Sequence, residues 1–415
     1  MATPAASPTD GEATAAVEDG GLSLPTDTFG EILLRLPPSC RLWARLVCRH
    51  WRDVIDARTP RIPPPKVLAF SNEKSASAYV VNDLEHGWGR EVWRVSAGRS
   101  KGSRIHVRVV GTCNGLLCLC DESNPGGSGR VALLNPLTGE TLRVPPLPIS
   151  HRGLYGYESW KVCTFGFVPE TKKYKLLHLP CRCDRTGGFN SVQAFTLGDA
   201  AWRDVAAPGA SCCLDAGVVS TGGAAYWATA GMERVVSFDL GEERVAFDVP
   251  LPVGPGPGCV CSLVEFHGRL GLAVSDGRRT APSKTELWVL GDGGANGGGR
   301  QGWSKRYSVQ YTVRVEGVDQ RLAAPHFAHG GEYVLTVQTE GWRKMHLHAH
   351  RMRDAGKRLQ SGEVRSVRIG GEPGTAVAYC KDANELRTFA YVETTEPLSV
   401  YKVDDHWSRK GSNRK

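Results

Sequence analysis

Long apolar runs are missing from this 415-residue chain: no stretch approaches the roughly 18 to 20 apolar residues that a membrane helix needs. The N-terminus has no basic segment leading into an apolar one, so neither a membrane-spanning nor a secreted protein is expected. Also absent are a P-loop, a Gly-x-Ser-x-Gly elbow, a His-Glu-x-x-His pair and any paired-carboxylate signature. The sequence therefore supplies no candidate for an enzymatic active site and calls for no cofactor. No two of the 13 cysteines are spaced Cys-x-x-Cys, and their number is odd, which removes support for a disulfide scaffold or a zinc knuckle and points to a reducing compartment. The pairs Cys118/Cys120, Cys181/Cys183 and Cys259/Cys261 each share one face of a strand and read as small buried apolar groups.

What is present has two textures. Residues 1–21 hold four acids, no base, and otherwise small and turn-forming residues, a mixture that buries too little surface to fold and reads as a disordered acidic tail. From residue 22 to residue 61 apolar residues fall at helical spacing and glycine is nearly absent. Phe29, Ile32, Leu33 and Leu36 recur at i, i+3, i+4 and i+7 behind Pro25 and Asp27, until Pro37-Pro38 stops the helix; Val47, Trp51, Val54 and Ile55 form a second stripe. Pro63-Pro64-Pro65 then favours an extended spacer, placing a linker at residues 62–65.

Beyond the linker, residues 66–400 are short apolar runs punctuated by Gly and Pro, and they repeat weakly. Leu133-Leu134-Asn135-Pro136-Leu137-Thr138-Gly139-Glu140 runs on to Pro146-Leu147-Pro148, and Ser237-Phe238-Asp239-Leu240-Gly241-Glu242 runs on to Pro250-Leu251-Pro252, an offset of 104 residues. Another unit ending at Trp202 lies between them, so each unit spans about fifty residues, the period of a propeller blade. Gly-anchored strands count five internal units. Val67-Leu68-Ala69-Phe70 and the unassigned strands within residues 376–391 are expected to share a sixth and close the ring. The fold expected is thus a small all-α segment followed by an all-β propeller of six blades, with a basic tail over residues 401–415.

Leu24-Pro25-Thr26-Asp27, Glu31-Ile32-Leu33-Leu34-Arg35-Leu36-Pro37 and Leu46-Val47-Cys48-Arg49-His50-Trp51-Arg52 resemble, in order and spacing, the F-box. A 40-residue helical segment this apolar is also too small to bury its own surface, and wants a partner groove. The resemblance implies that Leu24, Pro25, Ile32, Leu33, Leu36, Pro37, Val47, Cys48 and Trp51 form an apolar surface that faces a Skp-type adaptor or interlocks within the domain. Through that adaptor the chain would join a cullin and a RING protein as the non-catalytic substrate receptor of an SCF ubiquitin ligase, in the cytoplasm, the nucleus or both, with an unknown target protein. The rest of the chain resembles the F-box-associated propeller-like domains of plant F-box proteins, notably at Asn114-Gly115-Leu116-Leu117 and Asn135-Pro136-Leu137-Thr138-Gly139-Glu140, with a kelch-like cast at Gly222-Gly223 and Gly330-Gly331. Trp-Asp pairs of the WD40 kind are lacking. The alternative is a free-standing kelch-like scaffold or carbohydrate-binding module capped by the helices.

His346, His348 and His350 alternate, so a strand puts them on one face; neighbours roughly 7 Å apart cannot all reach one zinc ion at about 2 Å, and a solvent-facing stripe is expected. Residues 341–370 carry eight bases against Asp354 and Glu363, a local 8 − 2 = +6 within a whole-chain charge of +8, read as solvated loop and strand faces in preference to a nucleic-acid patch.

Overall fold

The period of the apolar residues changes at the linker, and the architecture changes with it. The computed structural model describes residues 26–35, 44, 47, 49–58 and 66–402, apart from 73–74, 88, 97–105, 122–129, 147–158, 181–187, 255, 257, 277–282, 292–301, 312–317, 329–331, 341–343, 353–363, 370–374 and 382–384. The acidic tail, the linker and residues 403–415 lie outside the described residues. The chain divides into two compact units, residues 1–63 and 64–415.

In the first unit, α1 (Thr26–Arg35) and α2 (Arg49–Arg58) follow the two apolar stripes, with Asp27 in the first turn of α1. Phe29 and Leu33, one helical turn apart, meet Ala44, Val54 and Ile55 in a small core.

The second unit holds 25 strands among its described residues, in six sheets. In chain order they are β1 (Lys66–Asn72), β2 (Ser75–Val81) and β3 (Arg90–Ser96); then β4 (Val107–Cys113), β5 (Leu116–Asp121), β6 (Arg130–Leu134) and β7 (Thr141–Arg143). The third blade is β8 (Cys163–Val168), β9 (Lys173–His178), β10 (Gly188–Thr196) and β11 (Arg203–Ser211), and the fourth is β12 (Val218–Thr221), β13 (Ala224–Ala228), β14 (Arg234–Asp239) and β15 (Arg244–Pro250). The fifth begins with β16 (Cys259–Phe266), β17 (Arg269–Asp276), β18 (Ser283–Leu290) and β19 (Trp303–Tyr311), and the sixth with β20 (Val318–Ala328), β21 (Tyr333–Glu340) and β22 (Lys344–Arg351). Last come β23 (Arg365–Ile369), β24 (Thr375–Lys381) and β25 (Glu385–Tyr391). The innermost strands β4, β8, β12, β16, β20 and β25 touch in a closed ring, giving the expected six blades.

The sheets form where the sequence supplies hairpin turns. Asn114 and Gly115 join β4 to β5 with φ of 48° and 84°, and His267 and Gly268 join β16 to β17 with φ of 51° and 77°. Two consecutive positive φ angles define the turn whose twist matches a hairpin, and glycine takes the second position at no steric cost.

Ring closure differs from expectation in one respect. β25 pairs with β1 from Lys66↔Tyr391 to Asn72↔Glu385, becoming the innermost strand of the first blade, as the leftover apolar runs suggested. β24, expected in the same blade, is instead the outer strand of the sixth, beside β22. The reason lies in β23: Arg365 and Arg368 disguise it as basic loop, yet it runs parallel to β19 as a fifth strand on the fifth blade, and the chain returns to its own blade as β24.

Blades touch through apolar seams and through ionic links, of which the one between the third and fourth blades is the most buried among the described residues. Lys175 of β9, nearly buried, donates from Nζ to the Leu240 carbonyl at 2.6 Å and to Glu243 Oε1 at 2.7 Å, and Arg203 of β11 pairs with the same carboxylate, fastening the third blade to the fourth. Burial opposes ionisation of Glu243, but the two cations beside it hold its carboxyl below the usual range.

Candidate functional site

On α1, residues one position apart point 100° apart, so the motif's adjacent Ile32 and Leu33 have different fates. Leu33 is 1% exposed and belongs to the core of the helical unit, whereas Ile32 is 43% exposed and Val47 is 62% exposed. Trp51 is half-buried and packs its ring on Phe29, with centroids 4.8 Å apart and planes tilted by 59°. Phe29 also stacks on His50, with ring centroids 5.8 Å apart. The arrangement separates an inner set (Phe29, Leu33, Ala44, Val54, Ile55) from an outer pair of exposed apolar side chains (Ile32, Val47). Leu24, Pro25, Leu36, Pro37 and Cys48, the remaining adaptor-facing candidates, lie outside the described residues.

The other sequence features resolve differently. His346, His348 and His350 share one face of β22, as period 2 requires, but that face is not solvent-facing: His348 is buried and its neighbours are half-buried. The seam responsible joins Val334, the cross-strand partner of His350, to Leu287, Tyr307 and Val309 of the fifth blade. Among the described residues no group of three or more His, Cys, Asp or Glu could hold a metal ion. His350 Nε2 lies 2.8 Å from Thr336 Oγ1, and burial, then the neighbouring His348, push its pKa down from 6.5 to about 4. An unfolded chain takes up this proton below pH 6.5 and the folded chain only near pH 4, so its contribution to stability is full above pH 6.5 and is lost as pH falls between those values. The thermal midpoint should therefore drop across that window, and His350→Gln should flatten the slope; an unchanged slope in the variant would contradict this burial.

Cys118 and Cys120 are buried in the seam between the second and third blades, and Cys261 in the next seam but one; Cys181 and Cys183 lie outside the described residues. The basic stretch is partly neutralised, since Arg351 pairs with Glu85 and with Glu332 at 3.0 Å, while the Arg365 guanidinium sits 6.0 Å from the Tyr307 ring centroid. Among the described residues no helix is long and apolar enough to cross a membrane.

Two family models match the chain. The F-box domain matches residues 22–62, and the F-box associated beta propeller domain matches residues 66–365, more than two thirds of the sequence. The chain belongs to the F-box-associated propeller family. An F-box protein of Arabidopsis thaliana is 26% identical to this family member over 349 residues, covering 74% of the chain and 77% of the relative. An F-box/LRR-repeat/kelch-repeat protein of the same plant is 29% identical over 238 residues, covering 56% and 61%. Among solved structures, the beta-propeller domain of Myceliophteria thermophila Cps50 (Swd1) aligns over 73% of this chain and 89% of its own, with a TM-score of 0.36 and 11% identity.

The segment Asn135-Pro136-Leu137-Thr138-Gly139-Glu140, legible in the sequence only as a resemblance, has a structural job. Asn135 is completely buried, and its side chain organises the β6–β7 turn through Oδ1, which accepts the backbone N–H groups of Leu137 at 2.9 Å and Thr138 at 3.3 Å.

Proposed function

We propose that this chain is the substrate-receptor subunit of an SCF-type ubiquitin ligase. Its helical unit docks on a Skp-type adaptor, the propeller holds a target protein, and ubiquitin transfer takes place on other subunits. The observation that carries this reading is the F-box match over residues 22–62 together with an outer apolar pair, Ile32 and Val47, on a unit whose core among the described residues is five side chains. A unit so small gains by burying that pair against a partner. On this reading Leu24, Pro25, Leu36, Pro37, Cys48 and Trp51 also belong to the adaptor-binding set that the F-box motif implies.

Adaptor capture tests it. Co-purification of the full chain with a Skp-type adaptor should fail for Ile32→Asp and for Val47→Asp, each weakening binding by about 100-fold because a desolvated carboxylate costs several kcal/mol. Leu33→Asp should fail too, through loss of the helical core, and helix content by circular dichroism separates the two causes. Retained capture by both outer variants would sink the reading.

A further inference from the structure

Residues 392–402 follow the closing strand, lie beyond the stretch matched by the propeller family model, and take no part in any sheet among the described residues. They are nonetheless read closely by the turn of the second blade. Having used Oδ1 to shape its own turn, Asn135 turns its amide nitrogen outward: Nδ2 donates to the carbonyls of Thr394 at 3.1 Å and Glu396 at 2.9 Å. At the far end of the turn, Glu140 Oε2 accepts the backbone N–H of Leu398 at 2.7 Å. The three backbone groups come from alternate residues, 394, 396 and 398, which is one edge of an extended segment.

Side chains complete the site. Leu398 is completely buried in the seam between the second and third blades, among Leu142, Val144 and Tyr174. Tyr401 meets Tyr174 edge-on at 6.1 Å and donates its hydroxyl to Glu396 Oε1 at 2.7 Å. Upstream, a Cβ on Gly115 would collide with the Val392 carbonyl, and Glu393 pairs with Lys66 at 3.0 Å.

The molecule contains its own control. In the equivalent turn of the fourth blade Asp239 stands where Asn135 does, and its Oδ1 accepts the N–H groups of Gly241 at 2.7 Å and Glu242 at 2.8 Å. A carboxylate is therefore enough for the turn, and the amide of Asn135 serves something more. We propose that residues 392–401 are a latch and that the Asn135–Glu140 turn is its receptor, a site for an extended peptide backbone followed by a buried leucine. The receptor is occupied in cis and holds the closing strand β25 in the ring.

Asn135→Asp in the full chain keeps the turn and removes both donors, setting a carboxylate oxygen against two carbonyls. Hydrogen exchange followed by mass spectrometry should quicken by about tenfold, the worth of one or two hydrogen bonds, in peptides covering 385–401. Asp239→Asn should leave those peptides unchanged, and Glu140→Gln, which keeps an acceptor for Leu398, should stay within about twofold. Unaltered exchange over 392–401 in folded Asn135→Asp overturns the latch. Should that variant not fold, Leu398→Ala decides by the same readout, with unaltered exchange again overturning the proposal.

Discussion

A chain ended after Lys381 should lose the cooperative unfolding of the entire propeller, not fray at one end. Every blade packs on two neighbours, and β25 takes part in two seams at once: Leu386 joins the core shared with the sixth blade, and Tyr391 the core shared with the second. Its removal also bares the edge of β1 along seven paired residues and takes away the strand that touches both β20 and β4 in the inner ring. Leu386, Tyr391 and Leu398, all buried, contribute about 1.5–3 kcal/mol each, roughly 4.5–9 kcal/mol together, against a whole-domain stability on the order of 5–15 kcal/mol. The loss is comparable with everything that holds the domain folded. Calorimetry and dye binding should find no native-like transition in the truncated chain. A soluble product that melts cooperatively near the parental temperature would mean that the blades stand as an open array, in which each unit depends only on its neighbours.

The parts of this architecture that were legible in the sequence are those governed by local backbone chemistry. Asn114-Gly115 and His267-Gly268 announce hairpins because few other pairs tolerate two positive φ angles, and the 104-residue offset between the Pro-Leu-Pro endings marks two blades. The parts that were not legible depend on what lies across a seam. Alternation on β22 correctly gathers the three histidines on one face, but in a propeller both faces of a blade are covered by neighbours, so period 2 no longer distinguishes inside from outside. β23 escaped because its arginines lie on a strand added to the fifth blade's outer edge, where charge is tolerated. In the helical unit the motif names Ile32 and Leu33 together, and only the packing of α1 on α2 assigns Leu33 inward and Ile32 outward. Asn135 is the converse case: the sequence marks it only as part of a resemblance, and its two jobs separate only in the structure, where Asp239 does one of them without the other.

Trp227→Ala should destabilise the propeller by about 3–5 kcal/mol, the range for deleting a large buried aromatic. The indole is completely buried on β13, with Phe189 of the third blade and Phe238 of β14 each 6.3 Å away between centroids, in a seam with Leu177, Val192 and Val236. Trp202 and Trp303 differ, since their Nε1 groups donate to the carbonyls of Pro145 at 2.7 Å and Pro250 at 2.8 Å. Trp227 Nε1 is buried with no hydrogen-bond partner among the described residues, so its value is packing alone, reduced by an N–H left without water. Trp227→Phe should therefore cost far less than the alanine change: it leaves a smaller void and removes a buried donor whose desolvation is worth about 1–3 kcal/mol. Denaturant midpoints at constant slope would measure both variants. A Trp227→Ala protein within about 1 kcal/mol of the parent would show that the seam between the third and fourth blades collapses around the void, and that the ring owes less to this side chain than its burial requires.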